Sequence, residues 1–288
     1  IESGAPGRVA SDFLGRDHEM AQAATYLDAG VGLVTVTGPG GVGKTRFLKE
    51  LEAQRADCLA VVAMEDFQTG AQLVRALAGA LNVDARLDAV GHCLAARGGW
   101  IGLDNAEQMV STVADLVRTL RTRAGTVSFV VTSRIGLGIA CEHQLRLPPL
   151  STATESADAV ALLRRRVAQV NPARAEQLCP AGLLELARAL DGLPLAMELA
   201  APRLQVLSPA DVARHIARAP ARLKTRGADK TGRHASLDAC LLASWELLDA
   251  VQRSVLCHCA LFHAPFALED GSRYQNRRST PASPAHPP

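Results

Sequence analysis

Lysine is scarce in this chain. Of its 31 basic residues only Lys44, Lys49, Lys224 and Lys230 are lysines, so an ammonium set among glycines asks for a specific reason. Long apolar runs are missing too: none approaches the ~18 residues of a membrane-spanning helix, and no basic opening followed by an apolar stretch marks a secretory leader. No membrane partner is expected. Acidic and basic residues nearly balance, 29 against 31 for a net charge of +2, which excludes the global basic field of a dedicated nucleic-acid binder. Cys58, Cys93, Cys141, Cys179, Cys240, Cys257 and Cys259 are an odd, scattered set in a chain of 288 residues, too large to need disulfide staples. A reducing cytoplasm is the expected location. The cluster Cys257-His258-Cys259, with His263 following, has no second ligand pair at zinc-site spacing, and a helical CxC turns its thiols about 200° apart. These cysteines therefore read as buried helix residues. Internal repeats at solenoid periods are also absent.

What is present is apolar residues, 48% of the chain, enough for a substantial core and about two domains. The chain opens on Ile1 rather than Met and reads as a fragment or a processed chain. Val31 to Thr37, Cys58 to Met64, Trp100 to Leu103 and Val127 to Thr132 are short, near-continuous apolar runs, as strands buried on both faces should be. Gln144 to Leu147 alternates instead. Between them Thr45 to Glu52, Ala71 to Leu81 and Met109 to Thr122 place apolar residues at three- and four-residue spacing, the helical period. Strand alternating with helix predicts a parallel sheet covered by helices on both sides.

After Pro148-Pro149 the strand signals stop. Val160, Leu163, Val167 and Val170 form one helical stripe that ends at Asn171-Pro172. Ala181 to Leu190 forms another, closed by Gly192; a third begins near Pro194; Ser208-Pro209 with Asp211 opens a fourth as cap, first-turn proline and acid. Arg164-Arg165-Arg166 reads as a solvated face. Lys224 to Gly232 reads as a linker. Ser236 caps a helix with Leu237, Leu241, Trp245 and Leu248 on one face, and Asp249 with Gln252 opens the next as a capping-box variant. The stretch from Asp270 has no acid after Asp270 and no apolar periodicity and is expected to be disordered.

The chemistry concentrates at Gly38-Pro39-Gly40-Gly41-Val42-Gly43-Lys44-Thr45, a GxxxxGK followed by Thr. Such a loop wraps its own N–H groups around a polyphosphate, which side chains would block. The following helix adds its positive end, Lys44 reaches the β and γ phosphates, and the Thr45 hydroxyl ligates Mg²⁺. Arginine is too forked for that point contact. A phosphate loop also needs a carboxylate on another buried strand to hold the metal, and Asp104, ending Trp100-Ile101-Gly102-Leu103, supplies it. It can also cap the next helix. The position after Asp104 is Asn105, which cannot accept a proton, so Glu107 is the nearby candidate to orient an attacking water. Slow turnover is expected. Arg134 follows another apolar strand and is placed to sense the γ phosphate.

In order, "FLGRDHEM", "GPGGVGKT", "WIGLDNAEQ", "VVTSRIGLGI", "LPPLS", "DGLPLAMELAA" and "SLDACLLASWELLD" resemble the signalling ATPases of the STAND class. The nearest branch looks like the AP-ATPase or NB-ARC-like module of bacterial transcriptional regulators of the LuxR-like and SARP-like kinds, a resemblance over roughly residues 12 to 268. The resemblance implies a P-loop NTPase domain with a three-layer parallel α/β sheet at residues 1–150, a helical domain at 151–225, a partial winged-helix domain at 226–269 and a disordered tail at 270–288. It implies ATP and ADP with Mg²⁺ as ligands, Arg16 near the base or sugar, and Pro194 packed on adenine. By residues alone, Gly192-Leu193-Pro194 is a helix stop and start. Two features depart from the pattern. Pro202 interrupts a helix that usually continues, which predicts a kink. The winged-helix region runs only to about Leu268 and is expected to lack its last helix, its wing and the histidine that by the resemblance senses the ADP phosphate; His263 lies too early to replace that histidine.

The function expected is an ATP/ADP-binding switch with slow hydrolysis that regulates an attached or partner output domain, through protein partners or self-association on ATP binding. The alternative is an AAA+-like ATPase with remodelling turnover. Direct DNA binding is not expected of this chain, whose truncated module lacks the groove-entering helix.

Overall fold

Five short strands, β1 (Leu33–Thr37), β2 (Cys58–Ala63), β3 (Gly99–Asp104), β4 (Val127–Ser133) and β5 (His143–Arg146), hydrogen-bond in the order β2-β3-β4-β1-β5. Every pairing is parallel. The structure, a computed structural model, describes residues 13–218, 245 and 248–259. They fall into two compact units, one within Ile1–Cys240 and one within Leu241–Pro288.

The predicted strands are therefore present, and the expected parallel α/β sheet with them. Neighbouring residues on a strand point to opposite faces, and here each face meets a helical layer. Val34, Val36, Trp100 and Val130 pack with α1 (Asp17–Asp28) and α2 (Lys44–Gln54) through Met20, Ala23, Phe47, Leu48 and Leu51. Leu33, Ile101, Leu103, Phe129 and Val131 pack with α3 (Gly70–Leu81), α4 (Leu87–Arg97) and α5 (Val110–Arg123). Both faces of β1, β3 and β4 are covered, which is why those strands read as continuous apolar runs. β2 departs from the expectation of double burial. It is an edge strand paired only with β3, and all but Val62 are partly or fully exposed.

Periodicity did not reveal α1 and α4. Only Met20, Ala23 and Leu27 of α1, and Val90, Gly91 and Leu94 of α4, are buried, too few for a stripe. α3 is opened by a reciprocal capping box between Thr69 and Gln72, a device that satisfies two otherwise unpaired N–H groups.

Residues after β5 build α6 (Asp158–Ala168), α7 (Pro172–Gln177), α8 (Pro180–Ala189), α9 (Pro194–Ala200) and α10 (Pro209–Arg218), around an apolar cluster that includes Leu163, Val167, Leu183, Leu186, Met197 and Leu204. Proline opens α7, α8 and α9, where its missing N–H costs nothing. Val170 is 75% exposed and lies beyond the end of α6, so the predicted stripe closes at Val167. Asn171-Pro172 ends one helix and starts another, since Asn171 Oδ1 accepts from the Arg174 N–H at 3.1 Å. The kink expected at Pro202 is a change of helix type, with the five-residue 3₁₀ turn Ala201–Gln205 following α9. Arg166 is not simply solvated: its Nη2 lies 2.7 Å from Glu198 Oε1 on α9.

In the second unit, Asp249 and Gln252 cap the helix Ala250–Cys259 reciprocally, at 2.8 and 3.0 Å. Cys257 is exposed and Cys259 half-buried, so burial was the wrong expectation for Cys257. The linker at Lys224 to Gly232, the Ser236 cap with Leu237 and Leu241, His263 and the tail from Asp270 lie outside the described residues.

Candidate functional site

β1 ends at Thr37 and α2 begins at Lys44, leaving residues 38–43 to turn the chain. Gly38, Gly41 and Gly43 adopt φ values of +156°, +77° and +101°, the last two in the left-handed region that side chains disfavour. Val42 is the loop's one apolar side chain after Pro39 and is buried, which pins the turn to the core. Lys44 Nζ donates to the carbonyls of Gly38 at 2.8 Å and Pro39 at 3.1 Å, so the ammonium lies at the loop itself.

α2 packs closely on β3 because Gly102 has no side chain. A Cβ there would lie 2.9 Å from Val61 Cγ2 and 3.2 Å from Leu48 Cδ1. That approach brings Thr45, on the first turn of α2, to Asp104 at the end of β3: Thr45 Oγ1 donates to Asp104 Oδ1 at 3.2 Å. Asp104 is 4% exposed. Asn105, next in sequence, has φ +65°, a value that Asn tolerates better than most residues, and leads into the 3₁₀ turn Ala106–Gln108. The side chain of Glu107 on that turn is 5% exposed, and its Oε1 lies 3.4 Å from Nε of Arg134, whose side chain is 14% exposed and which directly follows β4. The candidate water-orienting acid and the candidate phosphate sensor thus form an ion pair.

Behind Arg134 the chain runs to β5 as a loop held by Glu142, whose carboxylate accepts from the N–H groups of Leu137 at 2.6 Å and Gly138 at 3.0 Å. Burial pushes the Glu142 pKa up, but the nearby Thr35 hydroxyl, these two amides and the Gln144 side chain outweigh it and hold it below its ordinary value.

Arg16 meets the loop as a buried group. Its Nη2 donates to the Val42 carbonyl at 3.5 Å and its Nη1 lies 3.5 Å from Glu19 Oε1. Burial lowers its pKa, an effect that Glu19 and Asp158 oppose. Pro194 opens α9, and the next N–H, of Leu195, donates to the Gly41 carbonyl at 3.1 Å. The phosphate loop and the start of α9 are in direct contact.

Thr45 and Asp104 are hard oxygen donors side by side, which suits Mg²⁺. Among the described residues no group of three or more His, Cys, Asp or Glu could hold a metal. Burial pushes the Cys58 thiol up to about 11, so it stays protonated near neutral pH. No helix of the described residues is long and apolar enough to cross a membrane.

Two features of the site were given no role by the sequence. Thr132 sits inside an apolar strand, yet its hydroxyl bonds Asp104 and Asn105. The Leu195 N–H is a backbone group, invisible to any motif.

The strand order separates β1, which carries the loop, from β3, which carries Asp104, by β4. Loop and acid lie at the carboxyl ends of the strands, where parallel α/β sheets bind ligands. The sequence profile of the AAA domain matches residues 28–132, a span holding the loop, Asp104 and Thr132. This region is similar to an AAA domain, with a phosphate-loop motif and the parallel sheet of a P-loop NTPase fold. An uncharacterised protein of Mycobacterium tuberculosis is 29% identical over 284 residues, 90% of this chain and 67% of that protein. A second M. tuberculosis protein, provisionally named an HTH-type transcriptional regulator, is 31% identical over 189 residues, 63% of this chain but only 21% of its own length. The Walker-type ATPase PABY2304 of Pyrococcus abyssi superposes with a TM-score of 0.66 over 96% of this chain and 87% of that one at 15% identity, a likeness of fold.

Proposed function

We propose that this chain is the ATP/ADP-binding switch of a STAND-type signalling ATPase, NB-ARC-like in kind. It hydrolyses ATP slowly and regulates an attached or partner output domain, in the cytoplasm. The observation that carries this reading is the hydrogen bond from the Leu195 N–H to the Gly41 carbonyl at 3.1 Å. It makes the phosphate loop part of the packing of the helical region, so that a ligand reshaping the loop also acts on α9.

In this reading the amides of residues 40–45 and the start of α2 receive the phosphates. Lys44 exchanges the carbonyls of Gly38 and Pro39 for phosphate oxygens. Thr45 and Asp104 would hold Mg²⁺, which would supply charge neutralisation to the phosphates. Arg134 reads the γ phosphate, and while it is paired with Glu107 that carboxylate is not at liberty to orient water, which supports slow turnover. Arg16 supports the loop, and Pro194 presents a rigid wall for adenine. The helical region at 151–225 and the partial winged helix at 226–269 relay the loop's state. The similarity to an HTH-type regulator supports an output in transcription through protein partners or self-association, without direct DNA binding by this chain.

The test is to purify the chain natively, identify the nucleotide it carries and repeat with Lys44→Ala. ADP is expected in the first preparation and little or none in the second. A wild-type chain that carries no nucleotide and gives no heat with Mg²⁺ and ATP sinks the proposal.

The AAA-profile match favours one other reading, a remodelling ATPase. Size-exclusion chromatography with ATP separates the two, since a stable ring with fast turnover is the motor and a slow enzyme of low order is the switch.

A further inference from the structure

Thr132 lies one residue before the end of β4 and is fully buried. In an apolar strand, valine has the same shape and no hydroxyl to satisfy, so packing alone gives no reason for threonine here. The hydroxyl is used twice. It donates to Asp104 Oδ1 at 2.5 Å and accepts the Asn105 N–H at 2.9 Å. Thr45 donates to the same carboxylate oxygen from the other side, at 3.2 Å, so two hydroxyls on different elements take the two acceptor sites of one oxygen. That oxygen is then fixed against rotation. The bond to Asn105 meanwhile anchors the left-handed turn at φ +65° through which the chain passes to Glu107.

We infer that Thr132 is a positioning residue, which holds the Asp104 carboxylate at the setting an Mg²⁺–nucleotide complex requires and fixes the turn that delivers Glu107. The inference rests on the nucleotide reading above and adds a residue that no phosphate-loop motif contains. Without the hydroxyl the Asn105 N–H loses this partner and Asp104 Oδ1 is left with the Thr45 hydroxyl alone, free to turn about that single bond. Groups that orient a metal's ligand commonly affect metal affinity by tenfold to a hundredfold.

The experiment is calorimetry of ATP binding to the full chain in excess Mg²⁺ and in EDTA, for wild type, Thr132→Val, Thr132→Ala and Thr132→Ser, each checked by circular dichroism for its fold. In EDTA the four proteins should bind alike within about twofold. With Mg²⁺, wild type and Thr132→Ser should gain affinity, while Thr132→Val and Thr132→Ala should lose that gain by about tenfold to a hundredfold. The Mg²⁺ concentration giving half of the effect should rise by a similar factor. If the Val methyl against the carboxylate prevents folding, the Ala and Ser variants carry the comparison. Ala matching wild type, or Ser failing as badly as Ala, overturns the inference. Wild type that binds no ATP in either buffer is a different result. It overturns the nucleotide reading itself and takes this inference with it.

Discussion

Lys44 stands in a chain with few lysines, and its contacts fit a compact ammonium: it donates to the carbonyls of Gly38 and Pro39 from a buried position, 8% exposed, within a loop of small residues. The neighbouring Gly41 is constrained twice. Its φ is +77°, and a Cβ would lie 2.9 Å from that of Leu195. Gly41→Ala should therefore cost about 1–2 kcal/mol from backbone strain alone, lowering the melting temperature by several degrees, and should weaken nucleotide binding in calorimetry. An unchanged melting curve would show that the loop relaxes freely. Glu107 makes a separate case. If it orients the attacking water, Glu107→Gln should reduce steady-state phosphate release by about 10²- to 10⁴-fold, with ATP affinity changed by no more than a few-fold. Equal turnover in the variant would remove Glu107 from the mechanism.

Among the elements, the loop between β4 and β5 has a clear electrostatic anchor. The Glu142 pKa is depressed in the folded chain by hydrogen bonds that overcome its burial. The sign follows: the stability it contributes is present above the unfolded pKa of about 4.3 and is lost as pH falls through the lower folded value. Wild type should melt higher than Glu142→Gln at pH 7, and the gap should close as the pH drops below about 4. A gap that stays constant from pH 7 to 3 would assign Glu142 a packing role only. The helices show where sequence patterns succeed. α3 and α5 bury several apolar residues each, so their period stands out. α1 and α4 bury three each and do not. Val170 shows the opposite failure, an apolar residue in phase with α6 that falls past its last turn and faces solvent.

For the whole chain, ligand binding and packing are one problem, because the loop touches the helical region. Binding to the folded state alone stabilises by about 2.7 kcal/mol at a hundredfold excess over Kd. Mg²⁺ with ATP or ADP should then raise the melting temperature by roughly 5–10 °C, and Lys44→Ala should abolish the shift. A shift that survives in Lys44→Ala would place nucleotide binding elsewhere. Coupling through Leu195 further predicts that ATP and ADP give different proteolysis patterns around residues 190–200. Identical patterns would mean that α9 does not respond to the γ phosphate.

The loop motif, its carboxylate on a second strand and the strand–helix alternation were all legible in the linear chain, because each depends on residue types at short spacing: glycines where amides must approach a ligand, apolar runs where both faces of a strand are covered. Three things came only from the folded chain. Thr132 meets Asp104 across β3 and β4, Glu107 meets Arg134 across a turn and a strand end, and Gly41 meets Leu195 through backbone atoms far apart in sequence. Each is a contact between distant segments whose partners carry no mutual pattern, and strand order and helix packing decide which of them come within reach of a hydrogen bond.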